Sequence, residues 1–425
     1  MRAKRRLKVF SVMAVLGLVL AACGGSGSDS TDGEDVEPTT IKIGSPIALT
    51  GPIALQAQGM VNGFDLYMKQ NDNLLGGVPA EFLIEDTEAD ANMVISKTRK
   101  LIQTDEVHLL AGGALALESL AMIDLAVEED IAFITPVSSA DDLTQRNATP
   151  IFARVNMTSS QPNLYFGEWA ATEGGFERVA IIAQDYAYGW ESAGGFEYAF
   201  EASGGEVVQK LWVPLDNTDP APFISQIDPT VDAVYFMVIG GFIPQFVKAY
   251  SDFGLADTIQ LIGGPDTTDE DALPAMGDEE LGIITVHEYN SVLDTAQQFV
   301  EDYKAEYDLV PSYWAESTYV TAWWLDEAIA KVREDNDLDV AETAGWIRDN
   351  AEEFISVFRS IELEGTPRGD LALDEYGNIE VPLYVFQVTA PDTNEVIAEL
   401  GPSTQFWTVG AEEFLKNPVF SRDFP

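Results

Sequence analysis

Residues 107–139 read VHLLAGGALALESLAMIDLAVEEDIAFITPVSS. The run opens on Val107–Leu110, an apolar segment of strand length, and turns at Gly112-Gly113. A helix is expected around Glu118–Glu128, with Leu120, Ile123 and Val127 along one side, and a second apolar run, Ile131–Ile134, closes the unit. Strand, helix and strand in so short a span describe a βαβ unit, and strands that are apolar throughout belong to a parallel sheet covered on both faces.

The same alternation extends in both directions. Upstream, Ile41–Gly44 is a predicted strand, Gly59–Gln70 a helix and Phe82–Ile84 a strand; the helix after it carries Val94, Ile95, Leu101 and Ile102 on one face. Downstream, strands are predicted at Val179–Ile182, Val207–Val213, Ala233–Val238, Gln260–Ile262 and Ile283–Val286. Helices fall around Ser159–Thr172, Gly189–Ala202, Phe242–Phe253, Thr295–Tyr307 and Ala315–Arg333. The pattern changes near the C-terminus, where Leu371–Asp374 and Pro382–Thr389 suggest a hairpin turning at Gly377-Asn378. The fold class is therefore α/β, with two lobes that are each a doubly wound parallel sheet.

Composition removes several functions. The 425 residues carry 71 acids against 23 bases, a formal net charge of −48. Such a field repels phosphate backbones and argues against nucleic-acid partners. One cysteine and two histidines give no internal disulfide and little material for a metal site, and none is expected, nor any cofactor. The 46% hydrophobic content belongs to a folded body, so the acidity is not that of a disordered chain.

The N-terminus reads as a targeting segment. Arg2, Lys4, Arg5, Arg6 and Lys8 precede an apolar run from Val9 to Ala22. Its length of about 21 Å falls short of the roughly 30 Å hydrocarbon core. Basic head and short apolar stretch describe a secretory signal over residues 1–22. The end, Leu20-Ala21-Ala22-Cys23, resembles the lipobox of bacterial lipoproteins, which implies lipidation of Cys23 and anchoring of an extracytoplasmic body to the cell membrane. The Arg5-Arg6 pair leaves a twin-arginine export route open beside the general one. Without the signal, 18 bases face the 71 acids, a charge of −53. Residues 23–40 follow as a polar, flexible tether.

No GxxxxGK[ST], GxGxxG, HExxH or GxSxG pattern occurs, and acid pairs such as Asp141-Asp142 and Glu352-Glu353 are expected on solvated faces. His108 is expected to be a structural strand residue, and His287 to sit at a boundary or face solvent. No catalytic residue is assigned. Loops at the carboxyl ends of the strands do suit ligand binding, because open α/β sheets bind there. Gly112–Ala116 and Pro136–Ser139 offer amides and hydroxyls to a carboxylate. Asp185–Gly189, Ile239–Gly241 and Gly263–Asp266 occupy matching places in the second half.

In this order the motifs Ile43-Gly44-Ser45, Leu49–Pro52, Glu85-Asp86-Thr87, Phe133–Pro136, Asp185–Gly189, Gly264-Pro265-Asp266 and Tyr313–Tyr319 resemble the branched-chain amino-acid class of periplasmic binding proteins, the type I solute receptors of ABC transporters. The resemblance covers about residues 41–400. It implies two lobes joined by a three-strand hinge, with crossovers near Val155–Met157, Val286–Tyr289 and Leu371–Val381. Residues 41–156 with 287–374 would form lobe 1, and 157–286 with 375–425 lobe 2. It implies ligand contacts from Gln56, Ala114, Ala116, Val137, Ser138 and Ser139 on the first lobe and from Tyr186, Tyr188, Ile239, Gly240 and Asp266 on the second, with Trp314 as an aromatic wall. Asp266 matches the family's ammonium-binding acid, one methylene shorter than the usual glutamate, and Ala116 replaces a serine. The implied function is an importer's receptor for a small amino acid or related carboxylate or amide. It would act as a monomer, handing its ligand to an ABC permease. The alternatives are a ligand-sensing module of the same fold and, further off, a secreted hydrolase.

Overall fold

A computed structural model of the chain describes residues 39–415 and 420–422. The signal segment, Cys23 and all but the last two residues of the tether lie outside the described residues.

The first sheet comprises β1 (Ile41–Ile47), β2 (Leu74–Leu75), β3 (Val78–Asp86), β4 (Leu109–Ala111), β5 (Phe133–Thr135) and β6 (Phe152–Arg154), in the order β2-β3-β1-β4-β5-β6. All pairings are parallel except β2 with β3. The first crossover helices are α1 (Ala54–Gln70), α2 (Ala91–Gln103) and α3 (Ala116–Glu129). The buried face of α2 is Val94, Thr98, Leu101 and Ile102, with Ile95 exposed instead of packed as expected. In α3 the inward positions are Ser119, Met122, Ile123 and Ala126, spaced three and four apart, and Val127 faces solvent. Of the expected stripe, Ile123 is buried as predicted, while Leu120 is only half-buried and Val127 is exposed.

The chain then crosses to a second unit: α4 (Gln161–Ala171), β7 (Arg178–Gln184), α5 (Ala187–Ala202), β8 (Glu206–Val213), α6 (Ala221–Ile224), β9 (Ala233–Met237), α7 (Phe242–Asp252), β10 (Gln260–Gly263) and β11 (Ile284–His287). It returns to the first through α8 (Gln297–Tyr307), α9 (Tyr313–Asn336), α10 (Val340–Asp349) and α11 (Ala351–Ser360). The small hairpin β12 (Leu363–Thr366) and β13 (Gly369–Leu371) follows. The last strands, β14 (Val381–Ala390) and β15 (Thr393–Ser403), join the second sheet antiparallel, in the order β15-β14-β11-β10-β9-β7-β8. A final turn of helix, α12 (Ala411–Phe414), follows.

Two doubly wound lobes are thus observed, as the alternation of strands and helices predicted. The C-terminal hairpin differs in detail. Leu373 and Ile379 form one antiparallel bridge around the Asp374–Asn378 turn, but the long partner of β14 is β15, across Asp392 at φ +56°. The run Thr393–Ser403 carries five acidic, amide or hydroxyl side chains with no apolar–polar alternation, and its Val396 and Ile397 are exposed, which obscures it as a strand.

Helix α9 fixes the first lobe. Ala322, Leu325, Ile329 and Val332 along it are fully buried, and Trp324 donates to the Phe358 carbonyl of α11 at 2.9 Å. It crosses α1 so closely that a Cβ on Gly63 would stand 2.0 Å from the Ala315 carbonyl oxygen. That approach sets the position of the first turn of α9, where Tyr313 and Trp314 reach toward the second lobe.

Candidate functional site

The loops that end β4, β5, β7, β9 and β10 meet the start of α9 around one cavity. It is lined by Ala114, Leu115, Ala116, Val137, Ser139, Tyr186, Tyr188, Ile239, Asp266, Tyr313 and Trp314. No Lys, Arg or His is among these residues, so an anion here is met by amides and hydroxyls.

The first-lobe wall is built at the start of α3. Gly113 takes φ +78°, and its amide donates to the Pro46 carbonyl at 2.9 Å, which turns the chain from β4 into the helix. Glu118 then folds back over the helix end: its Oε2 accepts from the Ala114 and Leu115 amides at 2.8 and 2.9 Å, and its Oε1 accepts from the Thr87 hydroxyl. Glu118 is fully buried, and desolvation raises its pKa. The loop expected to present several amides to a ligand has therefore given two of them to its own glutamate. The Ala116 and Leu117 amides, in the first turn of α3, have no acceptor among the described residues.

In the next loop, the Ser138 amide donates to Thr135 Oγ1 at 3.2 Å, while the buried Ser138 hydroxyl has no partner among the described residues. The Ser139 and Ser159 hydroxyls pair at 3.1 Å. Ser139 lines the cavity; Ser138 does not.

The second-lobe wall centres on Asp266, held in a turn of 3-10 helix directly after β10. Its Oδ2 accepts from the Tyr188 hydroxyl at 2.6 Å. Its Oδ1 accepts from the Tyr313 hydroxyl at 2.9 Å and from Trp314 Nε1 at 3.3 Å. Desolvation raises the Asp266 pKa, against the three donors and the nearby His287, which all lower it. Burial likewise pushes the Tyr186, Tyr188 and Tyr313 hydroxyls up, so each stays a neutral donor. The Ile239 amide is engaged by Gln184 Oε1 at 3.1 Å, leaving its side chain to the cavity.

Nine of the sequence-predicted residues converge here: Ala114, Ala116, Val137, Ser139, Tyr186, Tyr188, Ile239, Asp266 and Trp314. Three do not. Gln56 is buried within α1 and Ser138 within its loop, both outside the lining. Gly240 sits at the outer lip, at φ +70°, where a Cβ would meet the Pro52 carbonyl oxygen of the first lobe at 2.3 Å. The adjacent Gly241 amide donates to that same oxygen at 3.3 Å. Leu115 and Tyr313 line the cavity without having been singled out. Tyr313 was visible in the aromatic entry to α9, but nothing in the spacing revealed that it reaches Asp266.

One acid pair also lies elsewhere than expected. Asp141 and Asp142 are buried, not on a solvated face. The Asp141 Oδ1 accepts from the Ser160 amide at 3.0 Å, and burial lifts its pKa to about 6. Asp269 is buried as well, accepting from the Tyr313 amide at 3.3 Å. His287 ends β11 at a crossover but is buried, its ring 4.5 Å from that of Tyr313. His108 fills the structural place expected of it, its Nδ1 accepting from the Lys42 amide at 3.0 Å.

Comparison with known proteins agrees with this architecture. Residues 40–394 match the family model described as periplasmic binding protein. A Leu/Ile/Val-binding protein homolog of Brucella melitensis is 28% identical over 62% of this chain and 68% of its own. A solute-binding protein of an ABC transporter from R. palustris, solved with benzoate, superposes with a TM-score of 0.79 at 25% identity, covering 86% of this chain and 98% of that one. One from Rhodopseudomonas palustris BisB5, solved with 3,4-dihydroxybenzoic acid, gives 0.78 at 28% over the same shares.

Proposed function

Since this chain belongs to the periplasmic binding protein family, whose members are extracytoplasmic solute-binding receptors of ABC transporters and not enzymes, we propose that it captures a small carboxylate with an apolar or aromatic body between its lobes. The observation that carries this reading is the cavity's polarity. Unpartnered first-turn amides of α3 stand on one side, the Asp266 carboxylate on the other, and aromatic and aliphatic walls lie between, with no cation. Amides at a helix start favour an anion, so the ligand's carboxylate is assigned to Ala116, with Ser139 beside it. Asp266 uses three of its roughly four lone-pair sites on protein donors and keeps one for the ligand. An α-amino acid's ammonium or a neutral hydroxyl fills that place equally well by geometry. The Leu/Ile/Val-binding and benzoate-bound relatives support both ligand types.

Closure follows from the same contacts. Tyr313 and Trp314 belong to lobe 1 (residues 41–156 with 287–374), Asp266 to lobe 2 (157–286 with 375–425), and a ligand touching both sides favours the closed arrangement. The closed monomer then presents its load to a membrane permease for import. Lipidation at Cys23 would keep the body at the membrane. Among the described residues no helix is long and apolar enough to cross one.

The test is a thermal-shift screen of amino acids and substituted benzoates, followed by calorimetry. Saturable 1:1 binding that raises Tm is the expected result, since ligand binds only the native state. Silence from every member of both series would contradict the reading.

A further inference from the structure

Adjoining the cavity is a second chamber, which shares Val137, Ser139, Tyr188 and Tyr313 with it and is lined beyond them by Asn156, Met157, His287 and Glu288. Its far end differs in chemistry. Asn156 donates through Nδ2 to the Val137 carbonyl, which fixes the orientation of its amide group. Asn156 Oδ1 is left buried, with no partner among the described residues, on a side chain only 5% exposed. Beside it is the buried Glu288. One oxygen accepts from Arg368 at 3.3 Å and the other lies 3.2 Å from His287 Nε2, so lone pairs remain on both. A buried acceptor without a donor costs about 1–3 kcal/mol. The chamber thus has surplus acceptors and four wall residues in common with the site.

We propose that this chamber is a specificity subsite for a hydrogen-bond donor at the end of the ligand distal to its carboxylate, a hydroxyl or amine carried on an aromatic ring. The assignment rests on the carboxylate placement proposed above. With the carboxylate at Ala116, a ring between Tyr188 and Tyr313 passes through the shared waist and delivers its far substituent to Asn156 Oδ1. An acid that ends in a bare ring leaves that oxygen unpaired.

The measurement is calorimetric binding of two matched pairs, benzoate with 4-hydroxybenzoate and phenylalanine with tyrosine. In the wild type, the hydroxylated member of whichever pair binds should be favoured about tenfold, the worth of one satisfied buried hydrogen bond. Asn156→Leu should erase that preference while leaving the unsubstituted member within about threefold, and Asn156→Asp, which keeps an acceptor, should retain it. The wild-type ratio decides the matter even if a variant fails to fold. Equal affinity within a pair would overturn the inference, as when a water already satisfies Asn156, and leave the carboxylate site standing. Failure of every probe to bind would remove both.

Discussion

Replacing Asp266 by asparagine separates the two ligand types that the cavity admits. The side chain lies where both lobes meet it, with Tyr188 on Oδ2 and Tyr313 and Trp314 on Oδ1. An asparagine placed with its carbonyl at the Oδ1 position keeps the latter two donors. Its NH2 then faces Tyr188, whose hydroxyl rotates to accept, so every group stays paired. The protein itself should lose no more than about 1 kcal/mol. An ammonium bound to the carboxylate loses a buried charged partner, a change that costs about 2–5 kcal/mol, or about 30-fold to several thousand-fold in Kd. A benzoate, which brings no cation to this wall, should lose less than about fivefold, all of it through weakened closure. Calorimetry of Asp266→Asn with leucine and with benzoate, each referred to the wild type, reads the difference directly. Equal losses for both ligands would show that Asp266 serves only to join the lobes, and would refute its role as an ammonium acceptor.

Further expectations concern stability and anchoring. Gly63→Ala puts a methyl 2.0 Å from the Ala315 carbonyl oxygen and should force α1 from α9, lowering stability in denaturant titration by at least about 2 kcal/mol; a change under about 0.5 kcal/mol would mean the helices part easily. The Asp271 carboxyl is pushed up to about 7, by burial first and then by its charged neighbours Glu270 and Asp266. With a folded value above the unfolded one near 4, it adds stability at low pH that is lost as pH rises through about 7. Asp271→Asn should therefore flatten the decline of Tm between about pH 4 and 7, the span between the unfolded and folded values, and an unaltered slope would show that the carboxyl is not the source. Cys23→Ala should abolish incorporation of a labelled fatty acid, whereas undiminished labelling would rule out lipid at that position.

The scaffold was legible because its strands are buried on both faces and read as apolar runs. Ile131–Ile134, Val179–Ile182 and Ala233–Val238 all became strands to within a few residues. Where burial is one-sided the reading failed. Thr393–Ser403 is half exposed and was missed, and the α3 face was misplaced because Ser119 and Ala126 pack inward while Val127 does not. At the site, the alternation marked the loops after strands, and the family resemblance picked Ala116, Val137, Tyr188 and Asp266 out of them; all four line the cavity. Side-chain partnerships across long separations carry no local pattern. That Glu118 occupies two helix-start amides, that Tyr313 reaches Asp266 over 47 residues, and that Asp141 is buried beneath α4 followed only from the three-dimensional arrangement. With 71 acids in the chain, a buried carboxylate looks like any other.

The lopsided charge and the cavity now fit together in one respect. A chain at −48, or −53 without the signal segment, gives an anion no long-range attraction, so the proposed capture of a carboxylate falls to short-range donors inside the site. The central claim is that the unpartnered amides at the start of α3 hold the ligand's carboxylate. A crystal structure of the protein with the tightest binder from the amino-acid and benzoate screen tests it most directly. The carboxylate should lie within hydrogen-bond distance of the Ala116 amide, with the ligand body between Tyr188 and Tyr313. A ligand with its carboxylate turned away from α3, or bound outside the interlobe cavity, would contradict it.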